Sequence, residues 1–242
     1  MTEPSGEAPT ARRVRAALEV FLCSGLPSQI VLGQLLVTAG IRPFVSAGHL
    51  NPTWVFAVAL SDTVLIVLLV VLLLRAHGES PRTVLLGSRP VVREAGFGLA
   101  LIVPLLIGVF FVMLGARALL PALHNVAENP LLAGLMKAPG QAALFAVAVL
   151  VGGGLREEVQ RAFLLTRFEQ HLGGATVGLI VTSIAFGAGH WLQGWDASLA
   201  TGLLGLFWGS VYLLRRSAVA AMVSHAGFNG LEIVGFLVVG GV

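Results

Sequence analysis

The chain has 242 residues, of which 56% are hydrophobic and 11% charged, with a mean hydropathy of +0.90. An ordinary soluble domain carries about 25% charge, so this composition excludes a disordered chain, a soluble nucleic-acid binder and a disulfide-stapled secreted domain. The single cysteine, Cys23, has no intrachain partner, and the net charge of +3 comes from basic residues in the short gaps between apolar runs, where topology explains them.

Residues 1–16 are polar and end in Arg12, Arg13 and Arg15. They read as a cytoplasmic tail rather than a signal peptide, because the next apolar run is long and contains Glu19 and Gln29. Seven transmembrane spans are expected over 17–39, 53–74, 96–115, 142–170, 173–193, 196–214 and 217–240. Each has roughly 19 residues or more, enough to cross ~30 Å at 1.5 Å per residue. The runs are continuous rather than alternating, which excludes a β-barrel. Two connections are long. Residues 76–95 are basic and amphipathic and should lie along the cytoplasmic face. Residues 116–141 are broken by Pro121, Pro130 and Pro139 and read as an interfacial or re-entrant segment. No internal repeat is visible, which argues against an inverted-repeat transporter. The fold class is therefore an all-α, polytopic transmembrane bundle: a tail (1–16), N-terminal helices with interfacial segments (17–141), and a C-terminal core (142–242).

The charges orient this parse. Arg12, Arg13, Arg15, Arg75, Arg82, Arg89, Arg93, Arg156, Arg161, Arg167, Arg215 and Arg216 fall on one side, and Arg42, Arg117 and Lys137 on the other. The positive-inside rule then puts the N-terminus in the cytoplasm and the end at Val242 outside.

Ionisable groups within spans are costly and are functional candidates by default. Here they concentrate late: Arg156, Glu157, Glu158 and Arg161 in the fourth span, His190 in the fifth, and His225, Asn229 and Glu232 on one stripe of the seventh. Either Glu157 (i,i+4) or Glu158 (i,i+3) can pair with Arg161. The helix rise puts Glu157 roughly 21 Å from the Gly173-Gly174 turn and His190 roughly 25 Å from it, at matching heights. Glycines 152–154, 187, 189, 205 and 209 allow close helix packing. Asp62 and Glu19 read as structural partners of neighbours, with a lateral entrance as the alternative; His49, His124, His171 and Asp196 read as solvated loop groups. Trp54, Trp191 and Trp195 read as interfacial anchors, and Trp208 as packing.

Glu157-Glu158, Phe186-x-x-x-His190 and His225-x-x-x-Asn229, in order on hydrophobic helices, resemble the three motifs of the CPBP intramembrane proteases, the CAAX prenyl protease and bacteriocin-processing (Abi) group. The resemblance covers roughly 140–232, the family's four-helix core. One feature departs from it: the family's first motif is EExxxR, whereas here Ala162 stands at that position and the arginine is Arg161, a rotation of about 100°. The resemblance implies an endopeptidase in which Glu157 and His190 activate water, His225 and Asn229 stabilise the oxyanion, and Glu158 and Arg161 support them. Zinc held by Glu157, Glu158, His190 and His225 is the competing account, although no HExxH or HxxEH motif is present. The expected partners are membrane lipids and a peptide or lipidated-protein substrate, with no nucleic acid. The expected location is the plasma membrane of a bacterium or archaeon. A non-proteolytic scaffold or immunity-type protein that keeps the fold is the alternative, supported by the shifted arginine.

Overall fold

The computed structural model describes residues 8–46, 49–127, 129–136 and 138–239. Residues 1–7 of the expected tail, Lys137 and Val242 lie outside them. The architecture is all-helical apart from one short hairpin. Its helices are α1 (Pro9–Leu22), α2 (Leu26–Thr38), α3 (Pro52–Ala76), α4 (Pro81–Leu86), α5 (Val91–Leu119), α6 (Pro130–Leu135), α7 (Pro139–Val149), α8 (Glu158–His171), α9 (Ala175–Gly189), α10 (Trp195–Arg215) and α11 (Val219–Val239). A π-helical segment, Leu150–Glu157, joins α7 to α8 without a break. The hairpin pairs β1 (Phe44–Ser46) with β2 (His49–Leu50).

Four helices are long and apolar enough to cross a membrane: Pro52–Ala76, Pro81–Leu119 (α4 with α5), Trp195–Arg215 and Val219–Val238. The pair α1 and α2, bent by 43°, makes a fifth if counted as one. The other two expected spans are helical but different in kind. The fourth is a composite of an 11-residue helix, a π segment and a 14-residue helix. The fifth, α9, is a shorter apolar helix of 15 residues, about 22 Å of rise.

The first span also departs from its expected form. Its helix starts at Pro9, before residue 17, and breaks at residues 23–25. Gly25 turns the chain with φ +84°, a left-handed conformation that disfavours any side chain. A Cβ there would collide with the guanidinium of Arg156. The break is therefore built around a side chain from 131 positions later in the chain, because 156 minus 25 is 131. Among the described residues of 120–138 no helix has the length of a crossing: α5 runs on to Leu119, a 3-10 turn covers Pro121–Leu123, and α6 has six residues.

Ion pairs tie each end of the bundle. At one end Glu94, fully buried, accepts two bonds of 2.6 Å from Arg215. Arg167 holds Glu19 and Glu79, each at 2.7 Å, and Arg216 holds Glu169. His77 reaches the other oxygen of Glu19 at 2.6 Å. Arg167, Arg215 and Arg216 of the set that charge counting assigns to one side take part in these pairs, whereas Arg156 and Arg161 pair with Asp62 and Glu158. At the other end Asp196 is buried, not solvated as its position beside Trp195 suggests. It receives Arg117 Nε at 3.1 Å, lies 2.9 Å from His124 Nδ1, and accepts from the Ala197 amide. His124, itself exposed, is thereby a hydrogen-bond partner of Asp196.

Candidate active site

The chemistry-bearing residues of the C-terminal half converge on one cavity of about 400 Å³. The π segment supplies Glu157, the C-terminus of α9 supplies His190, and α11 supplies His225, Asn229 and Glu232. Helix α3 adds Asp62 and Thr63, and the α6 and α7 side adds the apolar wall of Leu131, Leu135 and Phe145. Arg156 faces Asp62, and Glu157 faces His225 and Arg156, an arrangement that lowers the cost of burying them.

The π segment sets the geometry around the carboxylates. Its wider turn rotates the residues C-terminal to it relative to a plain α-helix, a distortion common at functional sites. Gly153 lies within it, and a Cβ there would fall on Asn229 Nδ2 and lie 3.2 Å from His225 Nε2. The bare glycine backbone is what lets α11 bring both polar tips against the carboxylate-bearing segment.

Of the two possible carboxylate partners for Arg161, the structure selects Glu158. Arg161 Nε donates to Glu158 Oε2 at 3.1 Å, and its guanidinium stacks on the Phe186 ring at 4.5 Å. Glu158 and Arg161 are almost wholly buried. The opposite side of Glu158 is taken by His225, whose Nδ1 lies 2.8 Å from Oε1. An ionised carboxylate only accepts, so Nδ1 carries the proton and donates. The second nitrogen, Nε2, then points toward Glu157, 3.8 Å from Oε2. Trp208 stacks flat on the His225 ring, with centroids 3.7 Å apart and planes at 13°, and its own N–H donates to Ser224 at 3.0 Å. Trp208 is packing, as its depth suggests, but packing that fixes one site imidazole. No pattern in the sequence signals that contact.

His190 is fixed differently. Its Nδ1 lies 2.8 Å from the Phe186 carbonyl oxygen, one turn earlier. A carbonyl can only accept, so Nδ1–H is the donor and Nε2 keeps its lone pair on the cavity side. Phe186 also meets both imidazoles edge-on, with centroids 4.8 Å from His190 and 6.1 Å from His225. The phenylalanine of the second motif is therefore a spacer between two histidines.

Asp62 and Glu19 each have charged partners, distant in the chain. Asp62 is bound by Arg156, Ser28 and Gln29, and Glu19 by Arg167 and His77. Arg156 sends its guanidinium to Asp62 on α3.

The four side chains named as zinc ligands do not fit a metal ion. Among the described residues no three His, Cys, Asp or Glu groups converge as ligands would. Glu158 is committed to Arg161 and His225, and Arg156 Nη1 stands 3.9 Å from Glu157 Oε1, where its charge opposes a cation.

Residues 139–231 match a family model described as Type II CAAX prenyl endopeptidase Rce1-like. A CAAX-protease domain is thus present over that part of the chain. The matched stretch contains Glu157, Glu158, Phe186, His190, His225 and Asn229 and ends one residue before Glu232. No curated protein and no solved structure matches the chain.

Proposed function

We propose that the chain is an intramembrane endopeptidase that hydrolyses a peptide bond in a membrane-associated substrate. One observation carries this reading: Glu157, His190, His225 and Asn229, from three separate helical elements, line a single cavity. Glu157, partly exposed to that cavity, takes a proton from water. His190, with Nε2 free to accept, holds the same water. The hydroxide adds to the substrate carbonyl carbon. The oxyanion receives bonds from Asn229 Nδ2–H and His225 Nε2–H. Donation from Nε2 requires the doubly protonated ring, and the Glu158 carboxylate at Nδ1 supplies the counter-charge. Collapse of the tetrahedral species returns the proton from Glu157 to the departing amine.

The shifted arginine does not favour the scaffold alternative. Arg161 reaches Glu158 at i,i+3 and still closes the network through His225.

The test is turnover of a library of quenched-fluorescent peptides, with and without a C-terminal prenyl group, by purified protein in liposomes. Wild type should cleave some of them, and Glu157→Gln should cleave none while keeping the wild-type Tm. Turnover retained in that variant refutes Glu157 as the base. A wild type inactive on every peptide favours the scaffold.

The same reading takes all seven helical segments as crossings, in the plasma membrane of a bacterium or archaeon, with residues 142–242 as the catalytic core. The arginine-rich end of the bundle is then cytoplasmic. In a Cys23→Ser background, Ser46→Cys in the hairpin should react with an impermeant thiol reagent from outside, and Arg82→Cys should not. The reverse labelling overturns the orientation.

A further inference from the structure

We infer that Arg156, anchored by Asp62, is a positioning residue for the Glu157 carboxylate and couples the N-terminal helices to the chemistry. The inference rests on the endopeptidase reading.

The anchor is built from elements outside the core. Asp62 on α3 is almost wholly buried. It accepts from Ser28 Oγ and from Gln29 Nε2 at 3.2 Å, both on α2, and forms an ion pair of 2.5 Å with Arg156 Nη2. The left-handed Gly25 leaves the space that the guanidinium enters, so the break between α1 and α2 is shaped to receive it. A buried carboxylate with two hydrogen bonds and one ion pair fixes where Arg156 sits.

The other nitrogen does separate work. Arg156 Nη1 stands 3.9 Å from Glu157 Oε1, while His225 Nε2 stands 3.8 Å from Glu157 Oε2. The two oxygens of the candidate base are bracketed, one by a cation held from the N-terminal helices and one by a histidine held by Glu158. At these distances neither group hydrogen-bonds to Glu157, so the bracketing acts through charge, biasing the orientation of the carboxylate. The guanidinium suits this because its two terminal nitrogens diverge from one rigid plane, which a lysine ammonium cannot reproduce.

A merely structural ion pair makes a different forecast. If Arg156 and Asp62 matter only to folding, removing both should restore the activity and stability that removing one destroys, because no buried charge is left unpaired. The experiment therefore compares Arg156→Gln, the double variant Arg156→Gln/Asp62→Asn, and Arg156→Lys. The probe is the quenched-fluorescent peptide that wild type cleaves fastest, with Tm measured in parallel. Arg156→Gln should lower Tm. The double variant should recover Tm yet show kcat lower by roughly 100-fold with KM within about threefold, the loss expected for a misplaced reacting group. Wild-type kcat in the double variant, or a loss carried by KM alone, overturns the inference. Should the double variant not fold, Arg156→Lys decides: the proposal requires a wild-type Tm and a kcat lower by about tenfold, and an unchanged kcat refutes it. Failure of the wider reading looks different. There wild type cleaves nothing, or Glu157→Gln stays active, and this inference falls with it.

Discussion

Gly153→Ala separates stability from chemistry at the site. The added Cβ would fall on Asn229 Nδ2 and lie 3.2 Å from His225 Nε2. The obstructed atom is the tip of a side chain that can swing, so the fold should survive. Alanine in place of glycine in a helical backbone gains up to about 1 kcal/mol, and a displaced neighbour costs about 1–3 kcal/mol. The net change in stability should thus stay within about 2 kcal/mol. Activity has no such compensation. To clear the methyl group the amide must withdraw by about 1 Å, and a displacement of that size costs roughly 100-fold in rate, or about 2.7 kcal/mol of transition-state stabilisation. The neighbouring glycine is the control. A Cβ on Gly154 would lie 2.6 Å from Ala226 Cβ and 3.2 Å from Ala226 Cα, atoms with no freedom to swing. Gly154→Ala must therefore push α11 away and lower Tm by several degrees. The assay is kcat, KM and Tm for both variants on one peptide in liposomes. A folded Gly153→Ala protein with wild-type kcat would refute the placement of Asn229 as an oxyanion donor.

Two further predictions concern the charges. Zinc should not be stoichiometric in active protein, because Glu158 is committed to Arg161 and His225 and the Arg156 charge beside Glu157 opposes a cation, and turnover should survive chelation; elemental analysis beside an activity assay checks this. At the arginine-rich end burial pushes the Glu79 carboxyl up, but the hydrogen bonds from Arg167 and Gln170 and the Arg167 charge outweigh it, so the group sits below its ordinary value of 4.5. A depressed folded value gives stability that is present above the unfolded value and lost as pH falls through the folded one. Tm should therefore drop below about pH 4 in wild type, and less steeply in Glu79→Gln; identical acid limbs would count against the pairing.

Hydropathy made the helices legible because lipid leaves the backbone no other way to satisfy its polar groups. It could not show how each helix is interrupted. The break at Gly25 answers to Arg156, and nothing local to residues 23–25 names that arginine. The triple glycine of 152–154 reads equally as packing and as a distorted turn; only the arrival of Asn229 and His225 from α11 decides between them. Periodicity left Glu157 and Glu158 equivalent as partners of Arg161, and the choice falls to tertiary structure, since His225 claims the far side of Glu158. Asp196 is misread for the same reason, because Arg117 and His124, which bury it, lie 79 and 72 positions away. The pattern in these misreadings is physical. A single ionisable residue in an apolar run announces that it must have a partner, because alone it would cost several kcal/mol. The identity of the partner is a long-range fact that one sequence does not carry. Asp62 and Arg156 were each visible as anomalies, and their meeting beside Glu157 joins the N-terminal helices to the site.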